Sequence, residues 1–211
     1  MLTKYNEKPF YWDKAKRDLA KKDPILKKVM EKAGDTQFLT RNFTPFQTLA
    51  KSIIGQQISV AAASSVLKKL RSNIDRFSPK GVYSAKDSTL RNSGLSRQKV
   101  EYLRILSTKF VEEPRYFSGF QNLDDETIIE KLTVLKGIGE WTAQMYLIFQ
   151  LNRPNVLPVK DLGFVNSAVR IYKIKEPKIP NLIKISKKWE GYKTVAVWYL
   201  WKIIDPEDVQ Y

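Results

Sequence analysis

The stretch LTVLKGIGEWTAQMYLIF, residues 132–149, constrains this chain more than any other. Helical periodicity runs up to it and away from it, yet two glycines, Gly137 and Gly139, interrupt the middle. Glycine lets the backbone turn tightly between two short helices, and it strips side chains from a surface that another molecule can approach. The amides that open the second helix point outward with a partial positive charge, which suits a phosphate. A bare Gly-x-Gly also serves as an ordinary corner between helices, with glycine needed for geometry alone.

The rest of the chain reads as helical too. Asp23 and Pro24 form an N-cap and first-turn proline ahead of Leu26, Val29, Met30 and Ala33, and Gly34 is the stop. Thr44, Pro45 and Gln47 have the capping-box pattern before Phe46, Leu49, Ala50, Ile53 and Ile54, with Gly55 ending the run. Ser59 opens a helix with Ala63, Val66, Leu67 and Leu70 on one face. Ser96 caps one carrying Val100, Leu103 and Phe110, and Asp124 caps one carrying Ile128, Leu132 and Leu135. Val165, Ala168, Val169 and Tyr172 repeat the spacing, and the proline-rich piece EPKIPNL at 176–182 separates helices. No stretch alternates with a period of two between hairpin turns, so the fold class is all-α.

Composition narrows the partner and the chemistry. The 211 residues, 43% of them apolar, suffice for one domain or a pair of subdomains. Thirty-seven Lys and Arg against 22 Asp and Glu leave a charge of +15, which favours a polyanion, nucleic acid ahead of an anionic membrane. A solvated lysine-rich surface without a partner is the plain alternative. With no Cys and no His, the chain has no disulfide, no Cys-ligated zinc, no iron–sulfur cluster and no histidine acid or base. Any catalysis rests on carboxylates, lysines or hydroxyls. The apolar run VAVWYLWKII at 195–204 is too short for a bilayer and contains Lys202, and the first residues lack an apolar signal core. The expectation is a soluble, intracellular protein without a membrane partner, in the cytoplasm or nucleoid if prokaryotic.

LKGIG at 135–139, between two apolar helices, resembles the helix-hairpin-helix motif, which grips the DNA backbone without reading sequence. Downstream, PNVLPVKDLGF at 154–164 places Asp161 after a proline-containing extended segment, about twenty residues beyond the hairpin. Together with SIIGQQISVAAA (52–63), GLSRQKVEYL (94–103), GIGEWTA (137–143) and WEGYKTVAVWYLW (189–201), these segments resemble the helix-hairpin-helix (HhH-GPD) superfamily of DNA glycosylases, within it the 3-methyladenine DNA glycosylase II branch. The resemblance runs from about Asp23 to Trp201. It implies two helical subdomains flanking a cleft, one from about 44 to 150 with the hairpin at 124–150, the other from residues 1–43 and 151–211. The implied partner is double-stranded DNA with damaged bases, with no obligate protein partner. No cofactor is required, apart from a structural Na+ or K+ on the main-chain carbonyls of Thr133, Leu135 and Ile138.

Cleaving an N-glycosidic bond develops positive charge on the sugar, and a fixed carboxylate stabilises that state and orients the attacking water. The resemblance assigns this role to Asp161; taken alone, the residue reads as the N-cap of the following helix, and the two roles are compatible. An alkylated purine leaves already cationic, so no general acid is needed, in agreement with a chain that lacks His. Bifunctional relatives carry a nucleophilic lysine where this chain has Trp141, which implies a monofunctional enzyme that leaves an abasic site.

A target base has to leave the stack to be cut. By resemblance, Trp141 and Tyr192 line its pocket, where electron-rich rings attract a cationic base, and Met145 falls one turn beyond Trp141 where relatives carry an aromatic. All three read equally well as core. Ile74, in RSNIDRF at 71–77, is the wedge candidate, and Gln56 and Gln57 are placed to face DNA. Lys136, Gly137, Ile138, Gly139, Arg97 and Lys99 are the candidate phosphate contacts. The resulting expectation is excision of 3-methyladenine- and 7-methylguanine-type bases in base excision repair. Its rivals are another specificity (uracil, hypoxanthine or a mismatch) and a non-catalytic hairpin DNA-binding protein.

Overall fold

Local signals decide where most helices begin, and a computed structural model covering residues 7–34, 38–40 and 42–204 shows where they end. The described residues form twelve α-helices: α1 (Trp12–Lys22), α2 (Pro24–Ala33), α3 (Pro45–Gly55), α4 (Val60–Asn73), α5 (Pro79–Ser84), α6 (Asp87–Asn92), α7 (Arg97–Glu112), α8 (Asp125–Thr133), α9 (Glu140–Phe149), α10 (Leu162–Tyr172), α11 (Lys178–Ser186) and α12 (Lys193–Ile204). No strand occurs among them, so the chain is all-α.

The expected caps make their hydrogen bonds. Asp23 accepts the Ile25 and Leu26 amides at the start of α2, and Thr44 and Gln47 close a reciprocal capping box on α3. Ser59, Ser96 and Asp124 cap α4, α7 and α8 in the same way. Each such bond contributes about 0.5–2 kcal/mol and fixes the entry angle of its helix.

Two expectations change. Only Leu70 of the anticipated α4 face is fully buried, while Ala63, Val66 and Leu67 are half-exposed, so α4 is held mainly by its last turns. The segment 176–182 is not a linker throughout: α11 starts at Lys178 and takes Pro180 into its first turn, where a missing N–H costs nothing.

The chain divides into two compact units, Met1–Asn42 with Leu147–Gln210, and Phe43–Tyr146. In the first, α12 is apolar on every side from Val195 to Trp201 because α1, α2 and α10 all pack against it. Trp12, Leu19, Leu26, Phe164 and Trp189 fill the space around it, each fully buried large side chain contributing about 1.5–3 kcal/mol. The Asp23 carboxylate sits inside this core. Asp23 Oδ2 accepts the Tyr172 hydroxyl and the Trp189 indole N–H, both at 2.9 Å, while Oδ1 holds the two cap amides at 3.1 Å. Burial, with the Asp23 charge beside it, pushes the Tyr172 hydroxyl well above the usual tyrosine range.

In the second unit α7 is the central helix, packed by α3, α5 and α6, with α4 against α3. Phe46, Leu49, Ile53, Leu103, Leu106, Ile128 and Leu132 are the buried residues of this core. Arg104 ties α7 to the end of α5, donating to the carbonyls of Val82 at 2.5 Å and Tyr83 at 2.8 Å, and to that of Ala85, while pairing with Asp87 at 2.7 Å. No helix among the described residues is long and apolar enough to cross a membrane.

Candidate functional site

The hairpin lies in the second unit, between the end of α8 at Thr133 and the start of α9 at Glu140. Leu135 and Ile138 are buried and anchor it, and the Ile138 amide donates to the Leu135 carbonyl at 3.0 Å to close the turn. Its two glycines have different reasons. Gly137 has φ +94°, and a Cβ there would overlap the Tyr102 ring, so both backbone and packing demand glycine. Gly139 is exposed, has no left-handed backbone, and a Cβ would meet nothing within 4 Å. Nothing within the fold requires the second glycine. Val134, 80% exposed, adds an apolar side chain at the tip.

The turn between α3 and α4 is fastened to this hairpin. The Gln56 side-chain amide donates to the Gly137 carbonyl at 2.9 Å and to Thr142 Oγ1 at 3.1 Å. Gln57, the next residue, is exposed with φ +59°, an uncommon backbone state for a residue with a side chain.

The expected phosphate contacts separate into two groups. Lys99 is not presented to a ligand: its ammonium caps the end of α3, donating to the carbonyls of Ile54 at 2.6 Å and Gln56 at 2.8 Å, and burial lowers its pKa. Helix ends leave carbonyls without partners, and a lysine 43 residues away in sequence satisfies two of them here. Lys136 is exposed and pairs with Glu101, a hydrogen bond that raises its pKa. Arg97 stands exposed as the first residue of α7.

Ile74, the expected wedge, is 8% exposed and follows α4 as its C-cap. Its side chain belongs to the core, because the loop after α4 turns it inward, and a buried isoleucine cannot plug a gap in a duplex. Among the described residues of this unit, the exposed left-handed Gln57 is the better placed of the positions that sequence suggested. Met145 is likewise core, with 0% exposure. Helix α9 is buried on all sides from Thr142 onward, so lying one turn beyond Trp141 gives Met145 no open face. Trp141 itself is half-buried as the second residue of α9.

The carboxylate lies in the first unit. Asp161 is 6% exposed and caps α10: its Oδ1 accepts the Phe164 amide at 2.7 Å. The same oxygen accepts the Trp201 indole N–H at 2.9 Å. Trp201 is 4% exposed and stacks on Phe149, centroids 5.7 Å apart and planes at 20°. Leu162, the first residue of α10, is 76% exposed beside Asp161. Sequence reasoning found Asp161 but not Trp201, which lies 40 residues away and announces itself by no local pattern.

Tyr192, also in the first unit, is half-buried and stacked on Tyr11 at 6.4 Å, with the Lys14 ammonium 5.4 Å from its ring. Tyr11 is in turn tied to the Asn152 carbonyl at 2.8 Å. Tyr192 therefore already has a ring and a cation against it from the N-terminal segment.

A cation at the hairpin would meet only main-chain oxygens. No group of three or more His, Cys, Asp or Glu among the described residues could hold a metal ion. The Leu135 carbonyl keeps one lone pair beyond its bond to Ile138, and the Thr133 hydroxyl turns back to Ile129 and Glu130 rather than toward the turn. Neutral carbonyl oxygens of this kind fit an alkali-metal ion and not a divalent transition metal.

Residues 50–192 match the family model described as HhH-GPD superfamily base excision DNA repair protein. DNA-3-methyladenine glycosylase 1 of Schizosaccharomyces pombe is 32% identical over 171 residues, 75% of this chain and 72% of that protein. Among solved structures, a Schizosaccharomyces pombe 3-methyladenine DNA glycosylase in complex with abasic DNA superposes with TM-score 0.82 at 27% identity, covering 94% of this chain and 100% of that one. A DNA-3-methyladenine glycosidase from Bacillus halodurans gives TM-score 0.74 at 36% identity, covering 90% and 89%.

Proposed function

The chain belongs to the HhH-GPD superfamily of base excision DNA repair proteins, and from that membership we propose that it is a DNA glycosylase that excises alkylated purines and leaves an abasic site. The relatives named as 3-methyladenine glycosylases point to the substrate class, and the relative bound to abasic DNA points to the product. The observation that carries the reading is Asp161, a carboxylate nearly removed from solvent and held by two N–H donors on one oxygen.

Asp161 supplies the negative charge that the forming oxocarbenium sugar requires, and it orients the water that attacks the anomeric carbon. The carboxylate needs no reorganisation at that moment, because cap and indole already fix it. The departing base takes the bonding electrons and neutralises its own positive charge, so no acid is called for. Trp141 at the second position of α9 offers no amine for a Schiff base, which supports hydrolysis without strand cleavage. Trp141 is also the ring we assign to the flipped base; Tyr192, with Lys14 beside it, contributes as a wall more than as a cation-binding face.

DNA is gripped by the hairpin. The bare backbone at Gly139 admits a phosphate to the amides that open α9, with Lys136 beside it and Arg97 in the same unit as supporting cations. A Na+ or K+ on the carbonyls of Thr133, Leu135 and Ile138 would add a positive charge to that grip. Gln57 fills the space the flipped base leaves.

The test is incubation of the protein with methylated duplex DNA, followed by separation of free bases and alkali treatment of the strand. The reading requires free 3-methyladenine and strand breaks that appear only after alkali. Tight DNA binding with no base released would reassign the chain as a binding protein on a glycosylase fold.

A further inference from the structure

We propose that Trp201 is a positioning residue for excision: its indole N–H fixes the plane of the Asp161 carboxylate. This rests on the reading of Asp161 as the reacting carboxylate.

The geometry is specific. Trp201 Nε1 lies 2.9 Å from Asp161 Oδ1, and both side chains are buried. The indole cannot swing away, because its ring stacks on Phe149 at 5.7 Å. The first turn of α10 is shaped around this pair. A Cβ on Gly163 would stand 3.3 Å from Asp161 Oδ1 and 3.8 Å from Trp201 Cδ1, so the glycine leaves the room in which cap, carboxylate and indole meet.

A second carboxylate in the same unit shows what is particular here. Asp23 is also a helix N-cap with a tryptophan donor at 2.9 Å, yet there the indole goes to the oxygen opposite the cap bonds, joined by the Tyr172 hydroxyl. That arrangement secures both oxygens of a structural charge. At Asp161 the cap amide and the indole converge on one oxygen, so both donors hold the same edge of the carboxylate.

Indole suits this position for a chemical reason. It donates and never accepts, it carries no charge to cancel that of the carboxylate, and it has no proton to lose at working pH. An N–H bond to a carboxylate is charge-assisted, which makes it strong enough to set the plane of the group. A lysine or arginine there would neutralise the field at the sugar.

The experiment is Trp201→Phe, which keeps an aromatic ring for Phe149 and removes the donor. Under single-turnover conditions with saturating methylated DNA, the excision rate constant is expected to fall by about 10- to 100-fold. The Kd for DNA stays within about twofold, so the loss falls on the rate at saturation and not on binding.

A merely structural tryptophan would lower the melting temperature but leave the rate at saturation in place, and that result overturns the proposal. Should the variant fail to fold, the native indole gives the answer. The Trp201 indole 1H–15N resonance must move when Asp161 is replaced by Asn, and a resonance that stays in place contradicts the role. A native protein that releases no alkylated base defeats the glycosylase reading itself, whereas an active native protein with an unaffected variant defeats only the role of Trp201.

Discussion

The side-chain amide of Gln56 donates to the main-chain carbonyl of Gly137 at 2.9 Å, so a residue at the end of α3 holds the hairpin 81 residues further along. Gln56→Leu keeps the volume and removes both this bond and the one to Thr142 Oγ1. The loss leaves polar atoms without a donor and costs about 1–3 kcal/mol, together with weaker DNA binding. Urea unfolding and a binding titration measure the two effects. An unchanged unfolding midpoint would show that the tether carries no energy.

The two hairpin glycines should separate folding from binding. Gly137→Ala forces a left-handed alanine into the Tyr102 ring and is expected to cost more than about 3 kcal/mol. Gly139→Ala meets nothing, so stability changes by less than about 1 kcal/mol while DNA affinity falls, since the methyl stands where a phosphate would approach. Equal DNA affinity in Gly139→Ala and the native protein would remove this glycine from the interface.

Ile74 and Gln57 can be told apart in the same manner. Ile74→Ala opens a cavity in the core and costs about 2–4 kcal/mol, read from thermal unfolding. Gln57→Gly fits φ +59° without strain and leaves stability nearly unchanged, yet it should slow excision of a fully paired lesion more than of one opposite a gap. The reverse pattern would restore Ile74 as the wedge.

Lys51 gives the fold a dependence on pH. Burial, with Arg71 nearby, lowers its pKa from 10.5 to about 7, although its ammonium rests 3.6 Å from the centre of the Phe43 ring. The folded pKa lies below the unfolded one, so the unfolded state binds more protons between about pH 7 and pH 10.5 and stability rises through that window. The cost of charging is complete below pH 7. Lys51→Met should therefore stabilise the protein by about 1–3 kcal/mol at pH 6.5, after allowing for the lost ring contact, and by less at pH 10. Denaturant unfolding at the two pH values checks it.

What was legible in the sequence was local. Asp23, Thr44, Ser59, Ser96 and Asp124 announce their helices because a cap binds amides only two or three residues on. The first helix went unread for the same reason: Tyr11 makes no side-chain cap bond at its start. Lys99, Ile74 and Met145 were misread because exposure is settled by what arrives from elsewhere in the chain, a carbonyl pair in one case and surrounding core in the others. The hairpin glycines were conspicuous, but only the Tyr102 ring tells which of them serves the fold. Asp161 was legible as a cap; its indole partner comes from a helix whose uniform apolarity gives no hint of a donor.

The most direct measurement is single-turnover release of 3-methyladenine from methylated duplex DNA by Asp161→Asn. Asparagine keeps an oxygen for the Phe164 amide, so the helix cap and the DNA affinity should survive while the charge is gone. The account predicts a rate reduced by at least about 100-fold, with Kd and melting temperature close to native. Release at the native rate would contradict it, and would place the reacting carboxylate elsewhere in the chain.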